Sequence, residues 1–496
     1  MTAAWRRRAR VLALVPLALL AARAQADAGW FESGDTLLRN DLQLLNDAEV
    51  IRYPLNQWPI PRAGIRHALD NAKPHYATNA NVQAALARVR ARLDEAAPGS
   101  QKWTGSLTAG EPGLLRDFDA AGREQGELAA AFSHEGERFA VGLSITGAVD
   151  PADDQQVRAD GSHASLLLGN WLLSANTLDR WWGPAHESSL ILSNNARPMP
   201  TVMVERAEAR PFESRWLQWL GPWRFSFGIS QMESEREDID RPLFMAWRVV
   251  VMPFKDIELG FSRTAQFCGE QLVCDLNSFG NMLAGNDNVG IDATPENEPG
   301  NQMAGFDIRW NSPIGNLPYA IYSQMIGEDE SSYLPVKYLN QFGFETWKPL
   351  RAGLVQVFAE YSATTCSATS SRGPYYNCAY NQGRFGIEGY RYRGRVIGHT
   401  ADNDAEVISL GGSLTRDDGS LWTATLRSAR LNFDGVDARN TVSPGPADYA
   451  AAEFGWQGRL FGESVKIELG VESNEPEGGD RNVDPFGFLS WRHEFR

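Results

Sequence analysis

Residues 138–147 read RFAVGLSITG. Phe139, Val141, Leu143 and Ile145 fall on one face of an extended chain, and Ala140, Gly142, Ser144 and Thr146 on the other, because successive side chains of a strand point to opposite sides. The same period of two returns at Trp223, Phe225, Phe227 and Ile229, at Phe306, Ile308 and Trp310, and at Val465, Ile467, Leu469 and Val471. A soluble sandwich also alternates, with its apolar face turned inward. Two features favour a barrel in a membrane instead. Strands of about 10 residues, the length that crosses a bilayer at a tilt, recur along the chain from Trp103 onward. The connections also alternate in length. Short turns fall at His134–Glu137, Pro253–Asp256, Thr415–Ser420 and Phe461–Glu463; long polar stretches fall at Val149–Gly161, Cys268–Gly300, Cys366–Gln382, Phe433–Ala447 and Ser473–Val483. Bacterial outer-membrane barrels combine tight periplasmic turns with long outer loops and an even strand number. The pattern predicts an all-β transmembrane barrel of about eighteen antiparallel strands over residues 101–496. Its last strand places Trp491, His493 and Phe495 on one face, which resembles the terminal signal read by the barrel-insertion machinery, although Arg496 follows the Phe.

Ahead of the barrel the period changes. Leu37, Leu38, Leu42, Leu44 and Leu45 have helical spacing, Gly64–Lys73 reads as a second helix, and Asn79–Ala97 as a third, with Val82, Leu86, Val89 and Leu93 on one side. Residues 27–100 therefore read as a small α-helical N-terminal domain. Residues 1–26 read as a signal peptide: Arg6, Arg7, Arg8 and Arg10 precede an apolar run, and Ala24-Gln25-Ala26 fits the cleavage rule. Losing the five arginines of that segment deepens the net charge of −15 by five.

Sixteen Trp, 13 Tyr and 23 Phe exclude a disordered chain. A mean hydropathy of −0.36 argues against a bundle of spanning helices. The acidic balance makes nucleic acid a poor partner. In an oxidising compartment the four cysteines are expected to form two local disulfides, Cys268–Cys274 and Cys366–Cys378; metal binding is the alternative, with no His near either pair.

No G-x-S-x-G, H-E-x-x-H or phosphate-binding loop is present. His186 near Ser188 reads as a polar loop histidine rather than as half of a catalytic pair. The most unusual block, Leu178–Glu205, carries Trp181-Trp182-Gly183-Pro184, Asn194-Asn195 and Arg197-Pro198. If extended, the two tryptophans point to opposite faces, one to lipid and one to the lumen. Aromatic faces take the C–H surfaces of sugars, carboxylates and amides fix their hydroxyls, and Arg197, Glu205 and Arg206 are at hand as polar groups; the competing reading is an interfacial girdle. Acidic runs at Glu328-Asp329-Glu330 and around Asp287, Asp292 and Glu296 read as solvated loop ends, with a divalent-cation site as the alternative; the second run lacks the spacing of a calcium loop. Arg372, Arg384, Arg391, Arg393 and Arg395 are interleaved with Tyr375, Tyr376, Tyr380, Tyr390 and Tyr392, a composition suited to a sugar-acid polymer or, equally, to ion pairs across a lumen. The candidate carbohydrate-binding residues are thus Trp181, Trp182, Arg197, Tyr375, Tyr376, Arg384, Arg391 and Arg393, with no metal or cofactor expected.

Several long strings taken together resemble the Wzi family of outer-membrane capsule-assembly proteins. They are RNDLQLLND at 39–47, RWWGP at 180–184 with SSLI and ARPMP after it, LGPWRFSFGISQM at 220–232, NEPGNQMAGFDIRW at 297–310 and QMIGEDESSYLP at 324–335. The resemblance implies an eighteen-stranded outer-membrane barrel with a helical domain at its periplasmic end. It also implies a lectin-like role: binding capsular or extracellular polysaccharide and organising it at the cell surface. The loops holding the cysteines look peculiar to this sequence, so the sugar does not carry over. The expected partners are that polysaccharide, outer-membrane lipids and the insertion machinery. The alternative is a porin-like solute channel; a membrane-embedded hydrolase ranks last for want of a nucleophile and base.

Overall fold

A computed structural model describes the chain from Asp27 to Phe495, apart from residues 73–78, 120–121, 235, 271–273, 278, 281–301, 313–317, 328–329, 332–333, 336, 369–373, 382–387, 434 and 436–439. The expected signal peptide lies outside the described residues.

The barrel strands are β1 Gln101–Glu111, β2 Gly126–Glu135, β3 Phe139–Val149, β4 His163–Leu168, β5 Trp171–Asn176, β6 Thr201–Arg206, β7 Trp223–Gln231, β8 Leu243–Phe254 and β9 Ile257–Phe267. They continue as β10 Gln302–Ser312, β11 Tyr319–Gly327, β12 Lys337–Leu350, β13 Gly353–Ala368, β14 Glu406–Thr415, β15 Leu421–Leu431, β16 Ala447–Leu460, β17 Glu463–Pro476 and β18 Asn482–Phe495. Each pairs antiparallel with its neighbour in sequence, and β18 returns to β1 with Trp491 opposite Leu107 and Phe495 opposite Trp103. A two-residue piece, Val157–Arg158, continues the edge of β3 beyond β4 and adds no separate stave, so the closed barrel has eighteen strands. Leu143, Ile145, Leu410, Leu426 and Leu469 are exposed on the outer wall. A continuous apolar outer band of this kind, around a closed sheet with no free edge, is the surface of a protein embedded in lipid.

The expected tight turns are present: β2–β3, β8–β9, β14–β15 and β16–β17 all fit the alternation, with two residues joining β8 to β9 and β16 to β17. Two expectations need correction. Ser473–Val483 is a tight hairpin, because β17 runs on to Pro476 and β18 begins at Asn482. The connection after β13 continues far past Gln382, to Ala405.

Three helices, α1 Thr36–Asp47, α2 Arg62–Asp70 and α3 Ala80–Glu95, precede the barrel. Asp35 caps α1 by accepting from Leu38 N (2.9 Å), and Asn79 caps α3 by accepting from Asn81 N (3.0 Å). The leucines of α1 and the Val82, Leu86, Val89 and Leu93 stripe of α3 share one core. Charges fasten this unit to the inner wall at the short-turn end. Asp47 accepts two hydrogen bonds from Arg309 of β10 (2.8 Å each) and one from Asn311 (3.0 Å). Arg309 also pairs with Glu345 of β12. Arg248 of β8 binds Asp307 (2.6 and 2.9 Å) and Asn56 O (2.9 Å), and Arg224 of β7 reaches Gln57 O (2.6 Å) and Pro59 O (3.0 Å). Buried charges on the inner wall are tolerated because each finds such partners.

Candidate functional site

Residues 177–200, between β5 and β6, do not stay outside the barrel. They run inward, because Leu190, Ile191, Leu192 and the tryptophans have no apolar surroundings above the rim and find them in the lumen. Trp181 and Trp182 pair as a short antiparallel bridge with Trp58 and Gln57 from the helical unit. Trp181 packs edge-on against Phe118 (5.2 Å) in the core shared with the helices. Trp182 enters a second core with Leu190, Tyr380 and Tyr390. The rings do point to opposite sides, but both sides are interior; neither meets lipid, and neither leaves a face open to a sugar. Arg39 of α1 ties the two fillings together. It lies over Phe118 (4.4 Å) and donates to Pro184 O (2.7 Å) and Ala185 O (2.8 Å).

The second inward segment lies within residues 374–405. Tyr380 donates to Leu190 O and Tyr390 to Ile191 O, both at 2.8 Å, so two of the tyrosines read from sequence serve packing. Arg391 is buried and held by Asp402 (Nε, 3.0 Å) and Asn381 (2.6 Å). His399 is wholly enclosed; burial pushes its pKa down to about 3, and Nδ1 accepts from Ala401 N (3.2 Å). His186 is a loop histidine, but its loop is folded into the lumen instead of facing solvent. It stacks on Phe358 (4.5 Å) in the lumen and meets Glu345 Oε2 with Nε2 at 2.8 Å, while Ser188 Oγ accepts from Thr400 N (3.0 Å).

At the long-loop end the remaining candidates divide into two groups. Arg197 sits between Asp160 (2.8 and 2.9 Å) and Asp153. Burial opposes its charge, yet these two carboxylates outweigh burial and raise its pKa. Arg393, half-buried on the neighbouring loop, lies over Tyr392 (5.4 Å), and with its oxygen turned inward the Gln155 amide accepts from both Arg393 terminal nitrogens (2.8 and 3.1 Å). Arg123 joins this edge through Asp179 (2.7 Å) and Asn194 O (2.9 Å). Arg395 donates to Arg123 O (3.3 Å); burial, with the Arg123 charge adding to it, lowers its pKa.

The other group is an aromatic platform. Tyr375 exchanges two backbone hydrogen bonds with Cys366 (2.9 and 3.2 Å), and the Cys366–Cys378 disulfide closes the same turn. Lys337 covers Tyr375 (5.4 Å). The next ring, Tyr376, is 45% exposed and stacks on Phe433 (6.4 Å between centroids, 25° between planes), with Arg430 over Phe433 at 5.2 Å. Sequence reasoning missed Phe433 and Arg430; an aromatic at the head of the polar stretch 433–447 was the available signal. Arg372, Arg384 and most of the acidic loop residues lie outside the described residues. The second disulfide, Cys268–Cys274, is formed as expected. Among the described residues no group of three His, Cys, Asp or Glu is placed to hold a metal ion.

The molecule is thus a lipid-embedded β-barrel of the outer-membrane type, its lumen filled from both ends and its polar, aromatic surface at the long-loop end. The model of the capsule assembly protein Wzi family matches residues 95–482, and the chain belongs to that family. It is 31% identical over 451 residues, 90% of this chain and 86% of the relative, to an uncharacterised 55.8 kDa protein in the cps region of Klebsiella pneumoniae. It also resembles the solved structure of Wzi from Escherichia coli, described as an outer membrane protein involved in group 1 capsule assembly and as a carbohydrate-binding β-barrel. That likeness has 28% identity and a TM-score of 0.81, covering 94% of this chain and all of the other. This chain is accordingly an outer-membrane protein of a Gram-negative cell.

Proposed function

We propose that the protein binds capsular or other extracellular polysaccharide and holds it at the cell surface during capsule assembly, without catalysing a reaction on it. The short-turn end, with the helical unit of residues 27–100, faces the periplasm, and the long-loop end faces out. The observation that carries the reading is the filled lumen: side chains from the wall, α1 and the two inward segments bond to one another across it, so the outer end offers a surface rather than a mouth. This weighs against the solute-channel reading. On that surface Tyr376, Phe433 and Arg430 provide an aromatic face beside a cation, and Arg393 with Arg197 and Arg123 provides guanidinium groups among carboxylates and amides. Sugars are held by such pairs, weakly at each site and tightly in sum along a repeating polymer. Outer-membrane lipids and the insertion machinery are the remaining partners.

The test is the partition of polymer between cells and medium in a deletion strain complemented with the wild type or with Tyr376→Ala/Arg393→Ala. Polymer should move to the medium on deletion, return with the wild type, and return only in part with the double variant. An unchanged partition in a strain that makes the polymer overturns the reading. Stepwise single-channel conductance from the purified barrel would favour the channel.

A further inference from the structure

One connection breaks the rule of the short-turn end. The other fully described links there have two to five residues, but β6 and β7 are joined by residues 207–222. The strands around it show which way this connection goes. Glu205 and Arg224 are buried on the lumen side, so Arg206 and Trp223, one residue away from each, belong to the outer wall. Arg206 lies over the Trp223 ring (3.7 Å) and donates to the carbonyls of Glu208 (3.4 Å) and Arg210 (3.2 Å). Phe212 stacks on Trp223 as well, 4.3 Å between centroids and 9° between planes. The connection is therefore turned back against the lipid-facing side of the barrel, not tucked beneath its mouth. Beyond Phe212, Ser214–Leu220 forms a tight helical turn, with Leu217 N and Gln218 N both bonded to Ser214 O (3.0 and 2.9 Å). From it project Trp216, 76% exposed, Trp219, 63%, and Leu217, 42%. Arg215 lies over Trp216 at 5.4 Å.

We infer that residues 210–220 form an interfacial anchor that inserts Trp216, Leu217 and Trp219 into the periplasmic leaflet of the outer membrane, at the level of the phospholipid headgroups. Three observations choose a bilayer over a protein partner. The apolar projections continue an existing lipid-facing belt: Trp171 opposes Arg206 in register, and exposed Phe254 ends the adjacent β8. Tryptophan with arginine is the pairing that sits where apolar chains meet charged headgroups. Arg206, Arg210 and Arg215 outnumber Glu208 and Glu213 in the segment, which suits anionic phosphates. The anchor fixes the height of one side of the barrel and so the height at which its outer surface is presented. It needs the membrane setting of the barrel but not any sugar.

Because all four cysteines are in disulfides, a single new thiol takes a label selectively. The protein without its leader, carrying Leu217→Cys with a polarity-sensitive dye, is placed in phosphatidylethanolamine/phosphatidylglycerol nanodiscs. Dye at Leu410→Cys on the lipid belt and at Arg481→Cys in an outer turn provides the references. Brominated acyl chains should quench the Leu217→Cys dye roughly twofold, as at Leu410→Cys, while aqueous iodide quenches it weakly. Strong iodide quenching with no bromolipid effect overturns the proposal, as does shielding that disappears when the protein is diluted in lipid, which would make the occupant a second copy. As a check without a label, Trp216→Ser/Trp219→Ser should reduce bromolipid quenching of intrinsic fluorescence while leaving the heat-modifiable mobility of the folded barrel unchanged.

Discussion

The two fillings of the lumen are built differently. The one at the short-turn end is a helical unit with its own apolar core, and charges latch it to the wall: Asp47 on Arg309, and the carbonyls of residues 56, 57 and 59 on Arg248 and Arg224. The one at the long-loop end has almost no regular structure. It is held by side chains that reach backbone carbonyls, as Tyr380 and Tyr390 do on residues 190 and 191, and by a disulfide at its edge. A helix satisfies its own backbone and needs only to be docked, whereas an irregular segment in a lumen must have its backbone satisfied by the surrounding side chains.

Perturbations at the two ends should therefore have different signatures. The largest effect is expected at the charged latch. Arg309→Leu leaves Asp47 and Glu345 buried without their cation, a loss of about 3–5 kcal/mol. Limited proteolysis should then release the helical unit while the barrel survives, and Asp47→Asn/Arg309→Met should restore much of its protection. Next comes acid sensitivity at the long-loop end. His399 binds its proton more weakly in the folded state than in an unfolded chain, so the unfolded state holds more protons between the two pKa values and stability rises with pH there. The contribution is complete above about pH 6.5 and is lost as pH falls toward about 3. Melting temperatures measured across that window should slope for the wild type and flatten for His399→Gln.

Opening the outer disulfide with Cys366→Ala/Cys378→Ala removes a loop constraint worth about 3 kcal/mol. It should also loosen the turn bearing Tyr376, seen as faster hydrogen exchange at Tyr375 and Tyr376, without exposing the helices. The smallest change sharpens the comparison most. Arg39 touches both fillings, and Arg39→Met removes two hydrogen bonds from a charged group, about 2 kcal/mol. Combined with Arg309→Leu it should be non-additive if the two ends are coupled, and additive if each stands alone.

The same contrast explains what was legible in the sequence. The wall was, because lipid on one side and a packed lumen on the other force the alternation seen at Phe139–Ile145 and Val465–Val471. The stripe of Val82, Leu86, Val89 and Leu93 gave the third helix for a similar reason: one side packs and the other does not. Residues 177–200 were not legible, since a segment buried on every side has no face to repeat, and its tryptophans read equally well as a girdle. Nor were the bonds that hold the two fillings, because the partners are remote in sequence; Arg39 and Pro184 are 145 residues apart, and Asp47 and Arg309 are 262 apart. Among the site candidates, composition singled out the Arg- and Tyr-rich stretch but could not separate Tyr376, which remains open, from Tyr380 and Tyr390, which close the interior.

The seam between β1 and β18 sets a condition on how the molecule comes into being. It joins the barrel strands farthest apart in the sequence, and both fillings belong to chain that precedes the seam or lies between its two strands. The wall can close only when its last strand, Asn482–Phe495, is present, and every residue of both fillings precedes that strand. The contents of the lumen are therefore always synthesised before the wall that encloses them can be completed.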